Sequence, residues 1–279
     1  MRVLGFVLLA AAVFAAGPQP GSVVNDGFGD LVYVPAGPFK MGDNFGDGEA
    51  RERPVHEVAL DGFYIAKHEV TNKLWRQFRD DPGYDDPKYW PGGRPMPKDQ
   101  MPYWTDERNH GGATAGSDTY PVLGVNWDAA VAFTNWVSAK TGKRYRLPTE
   151  AEWEKAARGT DQRRYPWGNT IDHSYAKYVE GSDFVTAAEV GSFPKGASPY
   201  GALDMAGNVM EWCSDWYSRD YYSVSPKKNP KGPESGAYRV LRGGTFFEDA
   251  FDLRTHRRSA AWPSFQAYRM VGFRLARDQ

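Results

Sequence analysis

The sequence predicts a mixed α+β fold with few long elements and much ordered loop. Three observations lead there. Thirty glycines and twenty prolines in 279 residues punctuate the chain too often for long helices or a clean helix–strand alternation. Aromatic residues make up 15%, ten of them tryptophan, so large rings carry much of the core. The few segments with a clear period divide between helical and strand spacing.

Composition sets the outer limits. A 41% hydrophobic and 25% charged chain is globular, not disordered or collagen-like. Lys and Arg number 34 against 35 Asp and Glu, a net charge of −1, which lacks the footprint of a nucleic-acid binder. Cys213 is the sole cysteine, which excludes an intrachain disulfide and any chemistry needing a cysteine pair.

The elements follow in order. Met1-Arg2-Val3 opens an uncharged apolar run to Ala16, with Val13 and Ala15 at the small-residue positions of a cleavage site. Residues 1–15 read as a secretory signal peptide, too short to span a bilayer comfortably, so no stable membrane anchor is expected. The mature chain is expected in the periplasm or outside the cell. Residues 16–30 form a Pro/Gly-rich leader expected to be flexible, and residues 31–279 a single domain. Leu31 to Pro35 predicts a strand. Val55 to Ile65 alternates as a strand with one buried face. Thr71 caps a helix through Trp75 and Phe78. Residues 82–116 are irregular. Asn126 or Asp128 starts a helix that buries Ala129, Ala130, Phe133, Trp136 and Val137 and ends at Thr141-Gly142. Thr149 with Glu152 forms a capping box for a helix to Ala157, stopped by Gly159. Residues 159–200 show little pattern. Strands are predicted at Arg239–Leu241 and, closing the fold, at Phe273–Leu275.

The ordered motifs carry a resemblance. They include Val34-Pro35-Ala36-Gly37, Glu69-Val70-Thr71-Asn72 and Arg146-Leu147-Pro148-Thr149-Glu150-Ala151-Glu152-Trp153-Glu154. Tyr165-Pro166-Trp167-Gly168-Asn169, Gly207-Asn208-Val209-Met210-Glu211-Trp212, Arg242-Gly243-Gly244-Thr245-Phe246 and Gly272-Phe273-Arg274 follow. From Leu31 to Arg277 the chain resembles the formylglycine-generating enzyme, or sulfatase-modifying factor, family. That resemblance implies a variant of the C-type-lectin fold. Its best-known members oxidise a sulfatase cysteine with copper held by two cysteines, because thiolates select copper(I). Those positions fall on Glu248 and Leu253, so copper and formylglycine generation are not expected. One branch, typified by an exported protein of pyoverdine biosynthesis, also lacks the pair and takes part in oxidising a siderophore chromophore. Another uses non-heme iron held largely by an extra helical domain for which this chain has no room. The five histidines here show no close metal-ligand spacing.

The polar Glu248–Arg258 segment admits two readings. In one, Glu248 and His256 form an acid/base pair, and Arg254, Arg257, Asp249 and Trp104 bind substrate. In the other, the charges form an ion-paired network bracing loops. Trp90, Tyr103 and Trp104 line a groove or make a local mini-core. The resemblance implies calcium at Asp204, Gly207, Val209 and Glu211, as carboxylate and backbone oxygens suit that ion. The family's second calcium site maps to Lys177 and Asp183, where the lysine would stand in for the metal. The redox cofactor is unassigned. The function expected is oxidative maturation of a peptide or peptide-like metabolite, the alternative a non-catalytic lectin-like module that binds a peptide or protein.

Overall fold

The computed structural model describes residues 17–98, 117–179, 186–264 and 270–279. The segment expected to be a signal peptide, Tyr103, Trp104 and Asp183 lie outside the described residues. Strands β1 (Val23–Asn25) and β2 (Asp30–Val34) form a hairpin, followed by a second, β3 (Gly37–Met41) with β4 (His56–Leu60). After β5 (Phe63–Ala66) come helices α1 (Asn72–Arg79) and α2 (Trp127–Thr141), then β6 (Tyr145–Arg146) and α3 (Glu150–Arg158). The C-terminal third supplies β7 (Met210–Trp216), β8 (Arg239–Arg242), β9 (Ser259–Ala261), β10 (Val271–Gly272) and β11 (Ala276–Asp278).

Two larger sheets result. One runs β1-β2-β5-β11-β6 and is antiparallel, so the last strand sits between β5 and β6 and ties the two ends of the domain together. The other runs β10-β7-β8-β9, with β10 parallel to β7. The architecture is α+β with much irregular backbone, as the glycine and proline spacing predicts.

The helix ends follow their sequence signals. The hydroxyl of Thr71 accepts from the Leu74 amide, Asn126 caps α2 through the Ala129 amide, and Thr149 and Glu152 complete a capping box on α3. Rings of α1 and α2 interlock, with Trp75 and Phe133 stacked at 5.8 Å and Phe273 edge-on to both. Trp90 joins this core: it is buried and its indole donates to the Tyr84 carbonyl at 2.8 Å.

Three expectations change. The leader is not slack throughout, since Val23 pairs with Val32 and the Gly21 amide donates to the Tyr33 carbonyl. Asn25 makes the turn, accepting from the Gly27 amide at 2.8 Å and donating to Asp30 at 2.7 Å. The alternating stretch from Val55 is two strands, broken at Asp61-Gly62, that enter different sheets. The closing strand starts at Ala276. Phe273 and Leu275 are buried, but their carbonyls accept from the Val70 and Ala66 amides, and Arg274 between them is drawn inward to Glu211.

Helix α3 is buried on every face although it carries five charged residues. Glu154 accepts from the Gly42 amide at 2.8 Å, from Arg158 at 2.9 Å and from Arg242. Glu150 takes a two-point bond from Arg258, at 2.7 and 2.9 Å. Arg242 goes on to the Thr255 carbonyl at 2.7 Å, and Arg158 to that of Gly42 at 2.8 Å. The arginines hold the Glu154 carboxyl down at about 2 against the opposing pull of burial. Removing Arg242 leaves Glu154 with only Arg158 and the Gly42 amide in a dry interior. Arg242→Met is therefore expected to cost about 3–5 kcal/mol in urea denaturation; a loss below about 1 kcal/mol would show that the network does not hold the fold.

Candidate functional site

The segment after β8 is placed by that network. Arg242 and Arg258 anchor its two ends to α3. Between them Gly244 bends with φ +72°, and a Cβ there would lie 2.9 Å from the Asp252 carbonyl oxygen. Only glycine permits so close a return of the chain. The loop then runs out and back, with the Glu248 amide donating to the Thr245 carbonyl and the Glu248 carbonyl accepting from the Val179 amide.

Glu248 is half-buried, and its Oε2 is shielded from solvent with no hydrogen-bond partner. Burial pushes its carboxyl up to about 7, aided by Asp252 and opposed by Thr245 and Arg257. It exchanges protons near neutral pH, as a general acid or base requires. Phe247 and Phe251 flank it, 47% and 44% exposed. Leu253 is fully buried in a cluster with Tyr165, Tyr178 and Ala206.

His256 does not join Glu248. Its ring is fully buried, 3.5 Å from Asp43 and 3.7 Å from Glu52, and stacks on Phe45. Burial drops it to about 4, so it is neutral at pH 7. No hydrogen bond or ion pair links the two among the described residues, and the sequence-predicted acid/base pair is not assembled. Nearness along a loop does not fix side-chain direction: Glu248 is half-buried, while His256, eight residues on, is fully buried with Arg258. Arg254 is likewise buried, donating to His256 at 3.2 Å and to Asp47 at 3.1 Å, which removes it from any substrate surface. Arg257 bridges Asp252 at 2.7 Å and Glu49 at 2.6 Å. Asp249 is exposed and closes a turn by accepting from the Phe251 amide. For these arginines the ion-pair reading holds. Asp252, which tunes Glu248, was not singled out by sequence; a carboxylate four residues on in a tight loop is the signal.

A second acidic group lies behind β7. Glu69, Asp204 and Glu211 are all buried, with Arg274 between them. Glu211 takes two bonds of 2.6 Å from Arg274 and one of 2.8 Å from the Trp153 indole, so its carboxylate is already engaged. Asp204 accepts from the Gly191 amide at 2.6 Å, and Glu69 from Asn208 at 2.9 Å. The Glu69 side chain also hydrogen-bonds that of Asp204. Burial raises Asp204 to about 6, and burial together with Asp204 raises Glu69 well above the carboxylate range. Three buried carboxylates thus face one guanidinium, and two of them, Glu69 and Asp204, hold each other. Glu69, which sequence reasoning did not place here, offers a freer ligand than Glu211. Gly207 is obligatory: at φ +78° a Cβ would sit 2.3 Å from the Lys177 carbonyl oxygen.

Residues 20–279 match the sulfatase-modifying factor enzyme 1-like domain. The chain belongs to the formylglycine-generating enzyme family. It is 35% identical to the formylglycine-generating enzyme of Thermomonospora curvata, over 89% of this chain and 93% of that one. It is 37% identical to the hercynine oxygenase of Mycolicibacterium smegmatis, over 78% of this chain and 54% of that protein. The structure of PvdO from Pseudomonas aeruginosa superposes with a TM-score of 0.75 at 27% identity, covering 94% of this chain and all of that one. The chain also matches the serine/threonine-protein kinase Pkn1 of Chlamydia caviae, but spans only 38% of its length. Oxidative roles occur within the family, and no helix among the described residues is long and apolar enough to cross a membrane.

The Glu248 environment yields a direct check. Its carboxyl sits above its ordinary value of 4.5, so the folded state holds that proton more tightly than the unfolded chain. Its contribution to stability is full below about 4.5 and is lost as pH rises through about 7. Carbon-13 NMR of labelled glutamate is expected to show one carboxyl titrating near 7, moving down in Asp252→Asn; a resonance unmoved by that change would contradict the pairing.

Proposed function

We propose that this family member is an exported, copper-independent protein of oxidative maturation, acting on a peptide or peptide-like metabolite at the loop around Glu248. One observation carries the reading. Where the resemblance puts two copper-binding thiolates stand Glu248, with its carboxyl near 7, and the buried Leu253. Cys213 is buried in a separate core, and burial holds its thiol well above the ordinary range, so it supplies no thiolate. Glu248 would relay one of the two protons released as a substrate CH–NH unit becomes C=N, with external dioxygen as the two-electron acceptor that leaves as hydrogen peroxide, and the exposed Phe247 and Phe251 would seat the substrate's apolar part. Export rests on the apolar N-terminal run and its small-residue end.

Calcium belongs to the same proposal in a structural role. Asp204 and Glu69 would supply carboxylate oxygens, and Gly207 and Val209 backbone carbonyls. The ion would offset the buried negative charge and contribute no redox step.

The exposed phenylalanines also suit a binding module that does no chemistry. Glu248→Gln separates the two, because it keeps the shape and removes the titrating group. In a deletion strain of the producing organism, wild-type protein is expected to restore an oxidised metabolite or peptide, whereas Glu248→Gln leaves its reduced precursor. Full restoration by Glu248→Gln would end the catalytic role. A phenotype rescued equally by both proteins, with no change in any oxidised product, would favour binding.

A further inference from the structure

One cavity among the described residues shares no residue with the Glu248 loop or the Asp204 group. It measures about 800 Å³ and lies between α2, the turn after β6 and the loop that carries Asn229 to Lys231. That is the size of a small-ligand pocket. Trp127, Val131, Thr134 and Asn135 line it from α2, at the i, i+4, i+7 and i+8 spacing of one helix face. Phe63 and Leu147 add apolar surface.

The walls are fixed by contacts within the protein. The Trp127 indole donates to the Cys213 carbonyl at 2.9 Å. Arg239, which does not line the cavity, lays its guanidinium carbon 3.6 Å from the centre of the Trp127 ring and 3.5 Å from that of Trp216. Arg146 is held by Glu152 at 2.6 and 2.7 Å and by Asp278 at 2.6 and 2.9 Å. Asn229 closes on Asp61, accepting from its amide at 2.9 Å and donating to its carboxylate at 2.7 Å. Walls ordered in advance lose little freedom when a ligand enters.

The charge left over in this lining is positive. Asp61, Glu152 and Asp278 are each engaged, by Asn229 or by arginine. Arg144 is 76% exposed along its side chain and uses one donor, at 3.3 Å, on Asp278. Lys231 is exposed and makes no ion pair among the described residues. Arg239 acts through the indole. Its cation already draws on the Trp127 ring from one side, so a second cation stacked on the other side would be repelled, whereas an uncharged ring would not.

We propose that this cavity binds an anionic ligand with an aromatic body, such as a peptide segment in which an acidic residue follows an aromatic one. The ring packs on Trp127 and Val131, and the carboxylate is held by Arg144 and Lys231. The site stands whether or not the proposed oxidation is correct.

The test titrates the full chain, labelled with nitrogen-15 at tryptophan, with the blocked dipeptides acetyl-Phe-Glu-amide, acetyl-Phe-Gln-amide and acetyl-Phe-Lys-amide. The Trp127 indole resonance is assigned by its loss in Trp127→Phe. The glutamate probe is expected to shift that resonance saturably and to bind about tenfold more tightly than the glutamine probe, as two exposed ion pairs allow. The lysine probe is expected to bind more weakly than either. The double variant Arg144→Glu/Lys231→Glu, whose sites are exposed enough for it to fold normally, is expected to reverse the order of the glutamate and lysine probes. A Trp127 resonance unmoved by all of the probes would overturn the site. Equal affinity for the glutamate and glutamine probes, or an order unchanged in the double variant, would overturn it as well.

Discussion

The ion-pair network on α3 is the constraint from which the rest follows. Glu150 and Glu154 face inward where an ordinary amphipathic helix would place apolar residues, and Arg158, Arg242 and Arg258 meet them. Such a network demands full pairing, because each unmatched charge in that interior is costly. It also determines geometry. Arg242 leaves β8 and Arg258 enters β9, so both ends of the intervening loop are tied to one helix. Gly42, bonded to Glu154 and Arg158, ties the loop after β3 to the same place. The loop after β3 and the loop after β8 thus meet because α3 holds both.

This arrangement separates scaffold from chemistry. The network, the Glu211–Arg274 pair and the ring core of α1 and α2 do not involve the residue at 248. The fold is shared with the formylglycine-generating enzyme family, and activity has to be argued from the site.

Sequence reasoning read the helices well, because caps are local: Thr71, Asn126 and Thr149 each act within three residues. It read strands less well. The break at Asp61-Gly62 and the displacement of the last strand depend on which sheet each segment joins, which no local period encodes. At the site, the ordered motifs located the 248–258 loop but not the directions of its side chains. Glu248 and His256 are eight residues apart yet belong to different clusters. The partners of His256, Asp43 and Glu52, lie more than two hundred residues earlier. Histidine spacing along the chain therefore gave no hint of that cluster.

On the proposed reading, this protein keeps the family's scaffold without its soft-metal chemistry. The most direct measurement is an anaerobic copper(I) competition titration of the mature chain against a chelator of known affinity. With no thiolate at 248 or 253 and Cys213 sealed in a core, the chelator should retain the copper. Stoichiometric transfer of copper(I) to the protein would contradict the account.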